Sequence, residues 1–234
     1  KTRTLTYRVA RLVESGVPSE RILLATFTNK AARSMLSRVE MLIGHGIGGL
    51  WGGTFHHCAH LTLRSHAKRL DYENNFSILD SEDSRQLLNT CIAETGIDGK
   101  GDKFPRADVI GDMIGFSVNT ETPLSDVVAL RYPFFSHRME EIDTVAVRYR
   151  KRKKELNVMD FDDLLFLWRE LLLRFDDIRD MYAERFLHVL VDEYQDTNRI
   201  QADIMDLVAS RHKNLMVVGD DSQSIYSFRG ANYE

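Results

Sequence analysis

Apolar positions along the chain fall into two regimes. Short, nearly continuous runs occur at Ile22–Ala25, Leu187–Val191 and Leu215–Val218, the second interrupted only by His188. Such runs read as strands buried on both faces, the habit of parallel sheets. Leu5, Val9, Leu12 and Val13 instead repeat at helical spacing, and helical patterns flank each apolar run. The alternation predicts a parallel sheet with crossover helices. Gly44–Gly52 is glycine-rich and reads as a loop leading to a further short strand near Gly53–Phe55. From about Phe76 to Asn157 strand runs are absent and helical patterns dominate. Within it, Ser81-Glu-Asp-Ser places capping residues ahead of an amphipathic run, and Gly96–Arg106 reads as a loop. A long helix is expected from about Ser136 to Leu156. The organisation predicted is an α/β core, 1–75 with 158–234, interrupted by a helical subdomain over 76–157.

The apolar run ending at Val191 is followed at once by Asp192-Glu193. A buried strand would deliver both carboxylates to the C-terminal edge of the sheet, where open α/β sheets bind ligands. Two adjacent acids there can divide the work of nucleoside-triphosphate hydrolysis, one holding a Mg²⁺ shell while its neighbour orients the attacking water. At the other end of the chain, Lys1-Thr2 matches the last two residues of a G-x-x-x-x-G-K-[ST] phosphate loop and runs into a helical pattern. In that reading the glycines lie upstream, so the N-terminus is expected to be truncated. Lys1 would reach the β/γ-phosphates and the Thr2 hydroxyl would ligate Mg²⁺. The alternative is a frayed terminus without a role.

Further segments in the same order are ATFTNKAA at 25–32, GTFH at 53–56, FSILD at 76–80, DFDDL at 160–164, VDEYQDTN at 191–198 and VGDDSQSIYSFRGA at 218–231. With Lys1-Thr2-Arg3 they span the whole chain. In order and spacing the chain resembles the N-terminal part of UvrD/Rep-type superfamily 1 DNA helicases. The last two segments are the specific ones; the others would be weak alone. The resemblance implies a RecA-like P-loop NTPase domain, a parallel-sheet α/β fold carrying an inserted all-helical subdomain. It implies an ATP-dependent DNA helicase or translocase in the full-length protein, the fragment being inactive alone. ATP and Mg²⁺ are the implied cofactors. Single-stranded DNA and single-strand/duplex junctions are the implied partners, along with repair or replication proteins, and no membrane is implied.

The resemblance also assigns residues. Asp192, Glu193 and Gln223 would be catalytic, with Asp192 binding Mg²⁺ largely through its water shell, Glu193 acting as the base or water-orienting group and Gln223 sensing the γ-phosphate. Lys1, Thr2 and Arg3 would bind ATP, with Arg3 against the base, and Thr2 and Asp192 would hold the metal. Phe27, Tyr226 and Phe228 would stack on DNA bases, which suits a sequence-tolerant track; the competing reading is that they fill the core. Thr28, Asn29, Thr54 and His56 would contact phosphates, and Arg229 would bind phosphate or couple the two sites. Two departures stand out. Ser222 occupies a position where Asp is commoner, and Phe228 one where Trp is frequent.

Composition narrows the rest. The 234 residues are 43% hydrophobic and 28% charged, with a net charge of −4, so nucleic-acid binding would depend on a local patch or stacking groove. The densest basic run, Arg148 to Lys154, reads either as a solvated helix end or as a phosphate contact. Asp160, Asp162 and Asp163 read as helix-start acids. His56, His57, Cys58, His60 and His66 do not complete a tetrahedral zinc set at normal spacing. Two cysteines, Cys58 and Cys91, form no disulfide framework, and no apolar run approaches a membrane span, which points to the cytoplasm. Two other functions remain open: the motor of a RecB/AddA-like helicase–nuclease, and a domain that binds nucleic acid without hydrolysis.

Overall fold

The computed structural model describes residues 1–44, 47–97, 104–220 and 222. In chain order its elements are α1 (Thr2–Glu14), β1 (Ile22–Thr26), α2 (Asn29–Ile43), β2 (Trp51–Thr54), α3 (Phe55–His66), β3 (Ser77–Ile78), α4 (Ser81–Glu94), α5 (Ala107–Thr120), α6 (Leu124–Arg131), α7 (Met139–Glu155), β4 (Val158–Met159), α8 (Phe161–Arg174), α9 (Asp176–Arg185), β5 (His188–Val191), α10 (Arg199–Ala209) and β6 (Leu215–Val217). The chain divides into two compact units, Lys1–Leu63 with Leu167–Glu234, and Arg64–Phe166.

The first unit holds a four-stranded parallel sheet in the order β2-β1-β5-β6. Every residue of β1 is buried, as a strand covered on both faces requires. Leu24 of β1 and Leu190 of β5 are register partners and share a core with Leu5, Val9 and Leu12 of α1 and Met35 and Val39 of α2. Each such side chain taken wholly out of water contributes ~1.5–3 kcal/mol. The helix ends are set locally. Thr28 caps α2 by accepting the Ala31 amide at 3.2 Å, and α2 stops at Gly44, whose φ of 74° suits a residue without Cβ. Asn198 and Gln201 close a reciprocal capping box at the start of α10.

The second unit is mainly helical. Leu88, Cys91, Ile110, Val145 and Tyr149 form one apolar cluster, and Met113, Val128 and Ile142 a second. One detail departs from the sequence reading: Ser77–Ile78 is a strand, paired in parallel with Val158–Met159. Two residues are too few to give a periodic signature. The helix expected from Ser136 begins as a 3₁₀ turn over Pro133–Arg138 and is α-helical from Met139.

The basic run ending α7 is the larger correction. Lys153 is 3% exposed and lies 2.6 Å from both Asp160 Oδ2 and Asp163 Oδ2. Burial works against its ammonium, but Asp163 and Asp160 hold its pKa above the ordinary lysine value. Lys153 is therefore not available to a phosphate. Arg148 and Arg152 share Glu94, and Lys154 lies 3.4 Å from Asp71. Asp160 and Asp163 do start α8, each accepting the other's backbone amide, but they also carry this buried charge cluster. Asp162 accepts from the Asn119 amide at 2.7 Å. Among the described residues no helix is long and apolar enough to cross a membrane.

Candidate active site

Because all four strands of the main sheet are parallel, their C-terminal ends lie along one edge. The Asp192 amide donates to the Ala25 carbonyl at 2.9 Å, so the ladder from β5 to β1 runs up to the carboxylate itself. On the other side the Val218 amide donates to the Val191 carbonyl at 3.0 Å, and the Tyr194 amide to the Val218 carbonyl at 2.9 Å. Those bonds zip the segment after β5 to the one after β6. The chain then turns through a 3₁₀ turn at Tyr194–Asp196 into the Asn198 cap.

Asp192 is 1% exposed. Its Oδ2 accepts from the Thr2 hydroxyl at 2.9 Å, whereas Oδ1 is buried with no hydrogen-bond partner among the described residues. Burial raises the pKa of this carboxyl above the ordinary range, opposed by the Thr2 hydrogen bond. An orphaned carboxylate oxygen beside a hydroxyl is a hard-oxygen pair. It suits Mg²⁺, which takes few protein ligands and completes its shell with phosphate and water. Thr2 is in place because it opens α1, whose apolar stripe of Leu5, Val9 and Leu12 is anchored in the core.

Lys1 caps the same helix, and its Nζ lies 2.9 Å from Asp220 Oδ2. The Ser222 hydroxyl, and then the Lys1 ammonium, hold Asp220 below the usual carboxylate range. Arg3 is exposed, its guanidinium 5.4 Å from the Tyr7 ring centroid. Glu193 is half-buried with φ of 54°, left-handed for a residue with a Cβ, at a cost on the order of 1–3 kcal/mol. Its Oε2 accepts from the Gln195 amide at 2.8 Å.

Lys1, Thr2, Asp192 and Glu193 are thus brought together. The residues expected to contact DNA stand along the same edge, after β1 and β2. Phe27 is half-buried; Thr28 and Asn29 are exposed. Thr54 is buried and accepts the His57 amide at 3.2 Å; His56 is half-buried. Capping occupies an acceptor lone pair of Thr28 and Thr54 and leaves each hydroxyl its proton to donate. A Cβ on Gly53 would stand 2.6 Å from the His57 ring, so a side chain there would require that ring to move. Gln223, Tyr226, Phe228 and Arg229 lie outside the described residues. Cys58 is wholly buried in α3, its thiol pushed up to about 12 by burial, a core side chain rather than a thiolate ligand.

Sequence reasoning singles out the acids and passes over Gln195 and Asp220. The signal is present: both sit in the two most specific segments, two residues beyond Glu193 and two beyond Val218. What pattern alone does not give is the hydrogen-bond zipper that brings those segments together.

A family model described as the UvrD/REP helicase N-terminal domain matches residues 1–234. The chain is 36% identical over 235 residues to the ATP-dependent DNA helicase PcrA of Staphylococcus aureus strain Mu50, covering 100% of this chain and 31% of that protein. It is 37% identical to the ATP-dependent DNA helicase PcrA of Staphylococcus epidermidis strain ATCC 12228, with the same 100% and 31% coverage. The chain thus spans about a third of the length of these curated relatives.

Proposed function

The chain belongs to the UvrD/REP helicase N-terminal domain family, and from that premise we propose that it is the first motor domain of an ATP-dependent DNA helicase. The observation that carries this reading is Asp192: buried, one oxygen on Thr2, the other without a partner among the described residues, at the sheet edge beside Lys1 and Glu193. In this account Lys1 leaves Asp220 for the β/γ-phosphates, where its charge offsets that developing in the transition state. Thr2 and Asp192 would hold Mg²⁺, which would supply Lewis-acid stabilisation to the phosphoryl group. Glu193 orients and deprotonates the attacking water, Gln223 senses the γ-phosphate, and Arg3 packs on the base.

The same edge serves DNA. Phe27, Tyr226 and Phe228 stack on bases, while Thr28, Asn29, Thr54, His56 and Arg229 take phosphates or couple the sites. Hydrolysis by the complete protein drives movement along single-stranded DNA and unwinding at junctions, in the cytoplasm and alongside repair or replication proteins. The 1–75 and 158–234 stretches supply the RecA-like core and 76–157 the helical insertion. The relatives' names support ATP as fuel and DNA as track. The test is ATP hydrolysis by the complete protein that carries these residues, with and without oligothymidine and Mg²⁺. The expected result is Mg²⁺-dependent turnover stimulated by oligothymidine; turnover indifferent to DNA would contradict it.

A further inference from the structure

Gln195 is a buried polar side chain at this edge with no role assigned above. It is 6% exposed, and both ends of its amide are engaged. Oε1 accepts from the Asp220 backbone amide at 2.8 Å, and Nε2 donates to Glu193 Oε2 at 2.8 Å. The orientation of the amide is fixed by its neighbours: a backbone N–H can only donate, so the oxygen must face Asp220 and the nitrogen must face the carboxylate. The opposite wall is bare. A Cβ on Gly219 would stand 2.8 Å from Gln195 Oε1 and 3.1 Å from its backbone nitrogen. Asp220, whose amide Gln195 holds, is in turn the residue whose carboxylate meets Lys1. A continuous polar path therefore runs from Lys1 through Asp220 and Gln195 to Glu193.

We infer that Gln195 is a positioning residue for hydrolysis, holding the Glu193 carboxylate and tying it to the segment after β6. The inference rests on the proposed role of Glu193 toward water. A carboxylate on a half-buried left-handed turn has several side-chain rotamers; one charge-assisted hydrogen bond from a buried amide selects among them. An amide is needed because the position must donate to one neighbour and accept from the other. Glutamate could accept from Asp220 but would set a second carboxylate against Glu193.

The test uses the complete protein and compares Gln195→Ala, Gln195→Glu, Glu193→Gln and the Gln195→Ala/Glu193→Gln pair. Oligothymidine-stimulated hydrolysis gives kcat and KM, and a fluorescent ATP analogue gives nucleotide affinity. Gln195→Ala should lower kcat about 10- to 100-fold, as loss of a hydrogen-bond partner behind a reacting group does, with KM and nucleotide affinity within about twofold. Gln195→Glu, which keeps the volume and the acceptor, should fall at least as far and serves if the alanine variant melts. The pair should be no slower than Glu193→Gln alone, since Gln195 acts through Glu193. A Gln195→Ala kcat within about threefold of wild type, while Glu193→Gln is inactive, overturns the inference and leaves the proposed function standing. A further drop in the pair also overturns it. If Glu193→Gln hydrolyses like wild type, the role of Glu193 fails first and the inference with it.

Discussion

The Thr2 hydroxyl and the Asp192 carboxylate meet at 2.9 Å although 190 residues separate them. This contact ties the start of α1 to the end of β5. It also satisfies one oxygen of a buried carboxylate whose other oxygen has no partner among the described residues. Thr2→Val should take that hydroxyl from Asp192 and put an apolar methyl in its place. Denaturant melts should show a loss of ~1–3 kcal/mol, the cost of an orphaned buried acceptor. Saturating Mg²⁺ with a nucleotide should stabilise the complete wild-type protein more than the variant, because the variant lacks the hydroxyl ligand. Equal melts for the two proteins would remove Thr2 from the site.

The Lys153 cluster makes a separate prediction. Its ammonium serves two carboxylates in a setting where it is 3% exposed. Lys153→Met should cost ~3–5 kcal/mol, because it leaves buried negative charge without a counter-ion. For the same reason it should not act as a lost phosphate contact: the salt dependence of DNA binding by the folded variant should match wild type. A change in salt slope of about one would restore Lys153 to the DNA.

Asp163 adds a pH dependence. Burial, and then the charge of Asp160, raise its pKa from 3.8 to about 6. A carboxyl raised on folding binds more protons in the native state. Its contribution is therefore fully present below the unfolded value and is lost as pH rises through about 6. Relative to Asp163→Asn, which keeps the acceptor for Lys153 and the Asp160 amide, wild type should lose ~1–3 kcal/mol between pH 4 and 7. A stability difference flat across that window would contradict the shift.

These cases show what the sequence made legible. The end of β5 could be read because an apolar run stops abruptly at two acids, a pattern that needs no partner to be seen. The parallel sheet is legible from similar local signals, whereas its order β2-β1-β5-β6 is not, because strand neighbours are set by pairing across the fold. Lys153 misleads in the sequence because its neighbours Arg150, Lys151, Arg152 and Lys154 look like one solvated helix end. The corrective signal was periodic: Ile142, Val145, Ala146, Tyr149 and Lys153 continue one buried stripe of α7. Gln195 and Asp220 could not be paired from pattern, because their bond is made across two segments 25 residues apart.

Stacking can be separated from charge at Phe27. In the complete protein Phe27→Ala should weaken oligothymidine binding by ~1–3 kcal/mol while leaving the salt slope unchanged, since a base–aromatic contact releases no counter-ions. Phe228→Ala should behave in the same way. Wild-type affinity in a folded variant would return either residue to core packing.

The central claim is that the acids after β5 form a hydrolytic site, and Glu193→Gln in the complete protein tests it most directly. The substitution keeps the shape and removes the base, while Thr2 and Asp192 are untouched. Nucleotide binding and steady-state hydrolysis with oligothymidine should be measured on the same preparation. The account predicts nucleotide affinity close to wild type with hydrolysis nearly abolished; a variant that hydrolyses ATP at the wild-type rate would contradict it.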